Sequence, residues 1–328
     1  MANFVNDIKY NSDHAFKIVS LLNNESHTNG FVHKSNIGNL KFKDLEHGMV
    51  LEDGTVIKKL HKDAISNKES FYFLHLAKTS GMSLKEELKD VFKNEQMFIN
   101  NIQHLNELEM LNSKFISGHF AMYPVNLFKK NNKRIHSITI TRNPLDRAIS
   151  FFVFRYKVHD SMLNKKTEGL NSKYFDNFLY DPNNLDFINN FQTRSITSNL
   201  DLEMSNLWSN KYINGSIDRF QLTGRMAANC NFIERKSNGS LWRDSLHEFD
   251  IIGTMDSREL FLNQLSTILE KNQYMSNFKN IKNNASDFEI EQIKKMLTKD
   301  QINRVIELNN YDFEMYDFLM TNKGVFKC

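Results

Sequence analysis

A lysine, several hydroxyl side chains and a glycine stand together in LHLAKTSGMSLKEEL, between an apolar run and a helical pattern. Lys78 supplies a mobile cation, and Gly81 lets the backbone approach a ligand closely. Hydroxyl groups come from Thr79, Ser80 and Ser83. Because the first N–H groups of a helix lack partners and carry positive character, the segment predicts a site for a phosphate-like anion. The alternative is a solvated lysine beside an ordinary Ser-Gly turn.

A second set of anion-binding residues lies in TITRNPLDRAISFF. Arg142 follows a β-branched run, Asn143 and Pro144 begin a helix, and Ser150 lies two turns further on. Helical side chains lean toward the N-terminus, so Ser150 and the long Arg142 can reach one ligand. A guanidinium with a hydroxyl suits a phosphate. The alternative is an amphipathic helix with a surface arginine and a small buried serine.

One histidine is placed to act as a general base. His119 follows a strand-like run and Gly118, where a side chain can project into a cleft. An imidazole has an ordinary pKa of about 6.5, so its neutral form is available at pH 7. The alternative role is a hydrogen bond to the backbone that holds the Gly118 turn. His75, three residues before Lys78, is expected within the strand, as a structural group or a supporting contact.

The elements that must position these residues follow a repeated strand, turn and helix order. The runs FYFLHL, KFISGHF, RIHSITIT and FDIIGTM predict strands, and SLKEELKDVF predicts a helix that Ser83 and Glu86 begin as a capping box. Beyond residue 160, three-to-four spacing predicts mainly helices. This order predicts an α/β fold with a central parallel sheet flanked by helices and a largely helical C-terminal half.

Three segments in register, and two later ones, resemble the PAPS-dependent sulfotransferases, especially the carbohydrate (heparan- or chondroitin-type) enzymes. The chain resembles a bacterial-type soluble member of that family. LHLAKTSGMSL resembles the family's 5′-phosphosulfate loop, and TRNPLDRAISFF resembles its 3′-phosphate segment, with the same separation of eight between Arg142 and Ser150. ISGHFAMY, NFQTRSIT and NNYDFEMYDFL resemble further family blocks. The resemblance covers residues 70 to 320. It implies a P-loop-like sheet similar to that of nucleotide kinases.

The resemblance also implies a donor and the residues that hold it. The donor would be 3′-phosphoadenosine 5′-phosphosulfate (PAPS), with adenosine 3′,5′-bisphosphate as product and no metal. Arg142 and Ser150 would hold the 3′-phosphate, His119 would be the base, and Lys78 would also stabilise the leaving phosphate. The 5′-phosphosulfate would be surrounded by Lys78, Thr79, Ser80, Gly81, Met82 and Ser83. This sequence has Ala77 and Met82 where the family usually has proline and threonine, and Met82 removes one hydroxyl.

The acceptor is predicted as a hydroxyl of a carbohydrate or a small natural product. Its contacts are expected from residues 160 to 245, where Asn190, Gln192 and Arg194 lie in a family-like block, and from His75. A structural role for these residues is the alternative. Two other functions stay open: a small-molecule kinase of the same fold, and a non-catalytic nucleotide- or glycan-binding module. The absence of a Gly-x-x-x-x-Gly-Lys-Ser/Thr motif disfavours the kinase.

Composition favours an ordinary globular protein over other classes. Charged residues make up 25% of the 328 residues, and the net charge of +3 does not indicate nucleic acid binding. Two cysteines, no signal peptide and no long apolar run predict a cytoplasmic location and no transmembrane segment. Residues 1–68 are expected to form an extension, with a hairpin turning at Asp53-Gly54, packed on a domain of residues 69–328. The oligomeric state is left open.

Overall fold

A computed structural model describes the chain over most of its C-terminal three-quarters and three short strands before it. The described residues are 42–45, 48–51, 56–58, 69–79, 81–99, 105–162, 172–204, 207, 215, 233, 238–274, 278, 285–322 and 324–327. They divide into two compact units: Met1–Lys68 with His104–Asn112, and Glu69–Gln103 with Ser113–Cys328.

Strands and helices are numbered in chain order. The strands are β1 (Phe42–Leu45), β2 (Gly48–Leu51), β3 (Val56–Lys58), β4 (Ser70–Leu74), β5 (Met97–Ile99), β6 (Phe115–Gly118), β7 (Ile135–Thr141), β8 (Ile251–Thr254) and β9 (Val325–Lys327). The α-helices are α1 (Gly81–Val91), α2 (Glu107–Asn112), α3 (Tyr123–Lys130), α4 (Pro144–Met162), α5 (Ser172–Tyr180), α6 (Pro182–Ile188), α7 (Phe191–Thr197), α8 (Trp242–Ser245), α9 (Arg258–Lys271), α10 (Ala285–Met296), α11 (Lys299–Leu308) and α12 (Asn310–Thr321). Short 3₁₀ turns lie at Leu246–Glu248 and Met255–Ser257.

The first unit contains a small antiparallel sheet in the order β1-β2-β3. The predicted hairpin pairing is confirmed, because β2 and β3 pair antiparallel with Val50 opposite Val56. Its predicted turn residues, Asp53 and Gly54, lie outside the described residues. Helix α2 also belongs to this unit, and Asn106 Oδ1 begins it by accepting from the N–H of Leu108 at 3.1 Å.

The second unit is built on a six-stranded sheet in the order β5-β6-β4-β7-β8-β9. Strands β4 to β8 pair parallel, and β9 pairs antiparallel with β8. The predicted parallel α/β sheet and helical C-terminal half are therefore confirmed. Strands β5 and β9 were not predicted, because three residues are too few to show an alternating pattern.

Strand β4 is buried on both faces, as its continuous apolar run predicts. Phe71 and Phe73 share a core with Leu84 and Leu88 of α1. The predicted capping box was wrong, because α1 begins at Gly81 and Ser83 lies inside its first turn. Glu86, its predicted partner, instead receives a hydrogen bond from Lys89 Nζ at 2.9 Å.

Helix α4 begins as the sequence predicts. Asn143 Oδ1 accepts from the N–H of Leu145 at 3.0 Å and from that of Asp146 at 3.4 Å, and Pro144 is the first helical residue. Later, asparagines divide two predicted helical stretches: α6 and α7 are separated at Asn190, whose φ is 45°, and α11 and α12 at Asn309. Among the helices in the described ranges, none is both long and apolar enough to cross a membrane.

Candidate functional site

The candidate site lies at the carboxyl ends of β4 and β7, which are neighbours in the sheet. From β4 the chain continues through α1 to β5, which lies toward one edge of the sheet. From β7 it continues to β8, which lies toward the opposite edge. This reversal of direction marks the position in an open α/β sheet where a crevice is expected between the two strand ends. In open α/β sheets, ligands bind in such a crevice.

The turn after β4 has a restrained backbone. Lys78 has a φ of 69°, a left-handed conformation that costs a non-glycine residue on the order of 1 kcal/mol. The fully buried Thr79 donates from Oγ1 to the backbone oxygen of Leu76 at 2.9 Å, and so holds this turn together. Ser80, a predicted donor contact, lies outside the described residues.

Gly81 is required because the ring of His75 lies against the first residue of α1. A Cβ added at Gly81 would lie 2.2 Å from His75 Cδ2 and 2.6 Å from its Nε2. The next two residues predicted to contact the donor lie on the same turn. Ser83 is half-buried, and Met82 is 55% exposed. The first turn of α1 is therefore packed on its His75 side and open at Met82.

The two predicted anion-binding turns meet each other. Arg142, buried one residue beyond β7, has its Nη1 3.5 Å from the backbone oxygen of Lys78. Its guanidinium therefore lies beside the turn that follows β4. The sequence predicts that both turns lie at the carboxyl edge of one sheet, and the pairing of β4 with β7 makes them neighbours.

The Lys78 ammonium points to the helix that follows β7. Its Nζ lies 4.6 Å from the ring centroid of Phe154, a cation–π contact. Phe154 is four residues after the buried Ser150, so both occupy one face of α4. The Lys78 ammonium thus reaches the face of α4 that carries Ser150, while the Lys78 backbone oxygen lies beside the Arg142 guanidinium.

Two imidazoles stack at the ends of neighbouring strands. The pairing of β4 with β6 sets Leu74 opposite Gly118, and the rings of the next residues, His75 and His119, lie 4.7 Å apart at 28°. His119 Nδ1 is 2.5 Å from the backbone oxygen of His75. A carbonyl only accepts, so Nδ1 carries the proton and the lone pair of His119 is on Nε2. His75 itself lies one residue beyond β4.

Both imidazoles are held in the neutral form. Burial lowers the pKa of His119 to about 4, although its hydrogen bond to His75 opposes this change and Lys85 adds to it. Burial lowers the pKa of His75 well below its usual value, as do the repulsion that a protonated His119 would exert and the charges of Lys85 and Lys78. The neutral His119 that a general base requires is therefore present at pH 7.

Lys85 lies on the face of α1 that meets His75, and it was not predicted as a site residue. Its side chain on α1 is buried, and burial lowers the pKa of its ammonium. Its position carried a signal: Lys85 follows Gly81 by four residues, so it shares the helix face that meets His75. In the sequence, a lysine between two helical leucines is typical of a solvated position. Its burial follows only from the packing of the helix on the sheet.

The three residues predicted near the acceptor are engaged in bonds between elements. Gln192 donates a hydrogen bond to the backbone of Arg142. Asn190 Oδ1 accepts from the N–H of Tyr311 at 2.8 Å. Arg194 Nη1 donates to two backbone oxygens at 3.1 and 3.2 Å. These bonds give all three a structural role. Contact with an acceptor stays a prediction for them and for His75.

The buried carboxylate of Asp312, on α12, stabilises the start of α7. Asp312 accepts from the N–H groups of Gln192 at 3.0 Å and Thr193 at 2.7 Å, at the start of α7. Burial raises the pKa of Asp312, while the nearby Arg147 charge opposes the change. Because Gln192 in turn holds Arg142, α12 and α7 together fix the end of β7.

A scan against protein-family models finds no match for this chain, and a search of curated proteins finds no significant match. Within the described ranges, no three His, Cys, Asp or Glu side chains are grouped so as to hold a metal ion.

Proposed function

We propose that this chain is a sulfotransferase that moves the sulfuryl group of PAPS to a hydroxyl of a carbohydrate or a small natural product. The observation that carries the proposal is the 3.5 Å approach of Arg142 Nη1 to the Lys78 backbone oxygen. It joins two cationic turns at the crevice of a parallel sheet, which suits a ligand with an anionic group at each end. A P-loop-like classification of the fold is part of the same proposal.

The residues around the crevice fit a bisphosphorylated nucleotide. At one corner, the α1 N-terminus begins at a glycine and lies beside the Lys78 turn, which suits the 5′-phosphosulfate. At the other, Arg142 and the hydroxyl of Ser150 suit the 3′-phosphate. Met82 supplies no hydroxyl, so backbone N–H groups and Ser83 would carry that part of the binding.

His119 would remove the proton from the acceptor. Its Nε2 lone pair takes the hydroxyl proton as the acceptor oxygen bonds to sulfur and the bond from sulfur to the leaving phosphate oxygen breaks. The electron pair of that bond remains on the phosphate. Lys78 and the α1 N-terminus stabilise this charge, and the bound donor supplies the sulfuryl group.

Binding and transfer can be tested separately. Adenosine 3′,5′-bisphosphate is expected to raise the unfolding temperature of the protein, and ADP is not. Incubation with sulfur-labelled PAPS, a panel of hydroxyl acceptors and mixed cell extract is expected to give a labelled product, which Arg142→Ala reduces. Transfer of phosphate from ATP would support the kinase instead. Donor binding without transfer across the panel would support a non-catalytic module.

A further inference from the structure

The Lys78 side chain extends from the turn after β4 to helix α4, which follows β7. Its Nζ lies 4.6 Å from the ring centroid of Phe154, a half-buried residue of that helix. Phe154 was not predicted as a site residue. The ammonium that the proposed reaction uses is therefore in contact with an aromatic ring to which no role has been assigned.

The backbone of Lys78 is fixed at the other end of this side chain. Its φ is 69°, and the hydrogen bond from Thr79 to the oxygen of Leu76 closes the turn around it. Arg142 Nη1 lies 3.5 Å from its carbonyl oxygen. These contacts determine where the side chain begins, but the flexible stem of a lysine leaves its ammonium free to move. The contact with Phe154 restrains that ammonium.

The ring of Phe154 belongs to a well-packed part of α4. Phe151 and Phe152, which precede it by three and two residues, are fully buried. Phe151 stacks on Phe187 with a centroid distance of 4.8 Å, and Phe152 meets the edge of Phe178 at 5.3 Å. Close packing on both neighbours keeps this turn of the helix in place. Phe154 can therefore act as a fixed support.

An aromatic ring is suited to hold an ammonium that must later meet an anion. The negative face of the ring attracts the cation, yet the ring carries no net charge. The contact with Phe154 therefore restrains Lys78 without neutralising it. A carboxylate at the same position would form an ion pair, which an entering phosphate would have to displace.

We propose that Phe154 is a positioning residue that holds the Lys78 ammonium against α4, so that its charge is preorganised for the leaving phosphate. This inference rests on the proposed function, since that function gives Lys78 its role. A charge that is already in place needs no reorganisation as the bond from sulfur to the phosphate oxygen breaks. The ring therefore acts on the rate of transfer more than on donor affinity.

The kinetic test compares variants of the full chain that remove or keep the ring. Phe154→Leu removes it and is expected to lower kcat by about tenfold, with the KM for PAPS within about threefold of wild type. Phe154→Met repeats the test if Phe154→Leu does not fold. Phe154→Tyr keeps the face of the ring and is expected to retain kcat within about twofold.

A double variant separates the contact from the packing of α4. In a Lys78→Met background, Phe154→Leu is expected to lower kcat by less than about twofold further, because no ammonium remains for the ring to hold. The full tenfold loss in that background, or an equal loss in Phe154→Tyr, would overturn the inference. An unchanged kcat in folded Phe154→Leu would also overturn it, and a raised kcat would show that the ring withholds the ammonium.

A measurement without donor tests the contact by itself. NMR of the full chain with isotope-labelled lysine reports the methylene group next to the Lys78 ammonium, and Lys78→Arg assigns its signal. The ring of Phe154 should shift this signal, so Phe154→Leu is expected to move it toward that of an exposed lysine, and Phe154→Tyr is not. The same signal in Phe154→Leu as in wild type would overturn the contact.

Failure of this inference can be distinguished from failure of the proposed function. The NMR result uses neither donor nor acceptor, so it holds whether or not sulfuryl transfer is found. A wild-type protein that shows the ring-shifted signal but neither binds adenosine 3′,5′-bisphosphate nor transfers sulfate would count against the proposed function, and with it against the role of the ring in the reaction.

Discussion

The side-chain amide of Gln192 bridges both backbone groups of Arg142. Its Nε2 donates to the Arg142 oxygen and its Oε1 accepts from the Arg142 N–H, each at 2.9 Å. Gln192 is itself held at the start of α7 by Asp312 of α12. The orientation of the arginine at the end of β7 is therefore set by residues that are far apart in the sequence.

We expect Gln192→Leu to lose both bonds and leave the Arg142 backbone groups unsatisfied. This should lower the free energy of unfolding by about 1–3 kcal/mol and weaken adenosine 3′,5′-bisphosphate binding by about tenfold. Calorimetric titration and chemical unfolding measure both quantities. Wild-type affinity in a folded Gln192→Leu protein would contradict the role of this bridge.

The contact between Gly81 and His75 predicts a pair of compensating substitutions. In Gly81→Ala the new Cβ would lie 2.2 Å from the His75 ring, so the ring or the start of α1 must move. We expect a loss of nucleotide affinity and of stability. Combining it with His75→Ala removes the obstacle and should restore both in part. Equal losses in the single and double variants would show that the ring is not the cause.

His119→Gln should abolish transfer while leaving nucleotide binding near the wild-type level, because the amide cannot take up a proton. The lowered pKa of His119, about 4, also predicts the pH profile. As pH falls, the neutral base persists until about that value, so kcat/KM should decline only there. An acid limb near pH 6.5, or transfer by His119→Gln with the same profile, would remove His119 as the base.

Stability should also depend on the two neutral imidazoles. Their folded pKa values are lowered, so between pH 6.5 and about 4 the unfolded chain binds protons that the folded chain does not. The free energy of unfolding should therefore fall as pH decreases through this range. The slope is at most about 1.4 kcal/mol per pH unit for each histidine. When it is measured by urea unfolding, the free energy of unfolding of His75→Gln should change less with pH than that of the wild type. An equal dependence on pH would contradict the burial of a neutral His75.

Removal of the Lys78 charge should affect turnover more than binding. Lys78→Ala should lower kcat by on the order of a hundredfold, as the loss of a preorganised charge does in other enzymes. Lys129→Ala is a matched control, since this exposed lysine lies in the last turn of α3, before β7 begins. A kcat within twofold of wild type for Lys78→Ala would exclude its role on the leaving phosphate.

Much of the framework could be predicted because its signals are local. The apolar run of β4, the β-branched residues of β7 and the Asn143-Pro144 start of α4 each act through their own segment. The start of α1 was predicted three residues late, because Ser83 resembles an N-cap and the close approach of the His75 ring to Gly81 cannot be seen in the sequence. The hydrogen bonds of Asn190 and Gln192 could not be predicted from the sequence either, since their partners lie in distant segments.

The sequence by itself determined which chemical groups stand at the ends of the strands: a lysine turn after β4, a histidine after β6, and an arginine after β7. Residue type and local periodicity are sufficient for that. Only the tertiary structure decided that β4 lies between β6 and β7, so that these three ends become neighbours, and that Lys85 is buried. Strand order and burial arise from packing between distant segments, and no local pattern encodes them.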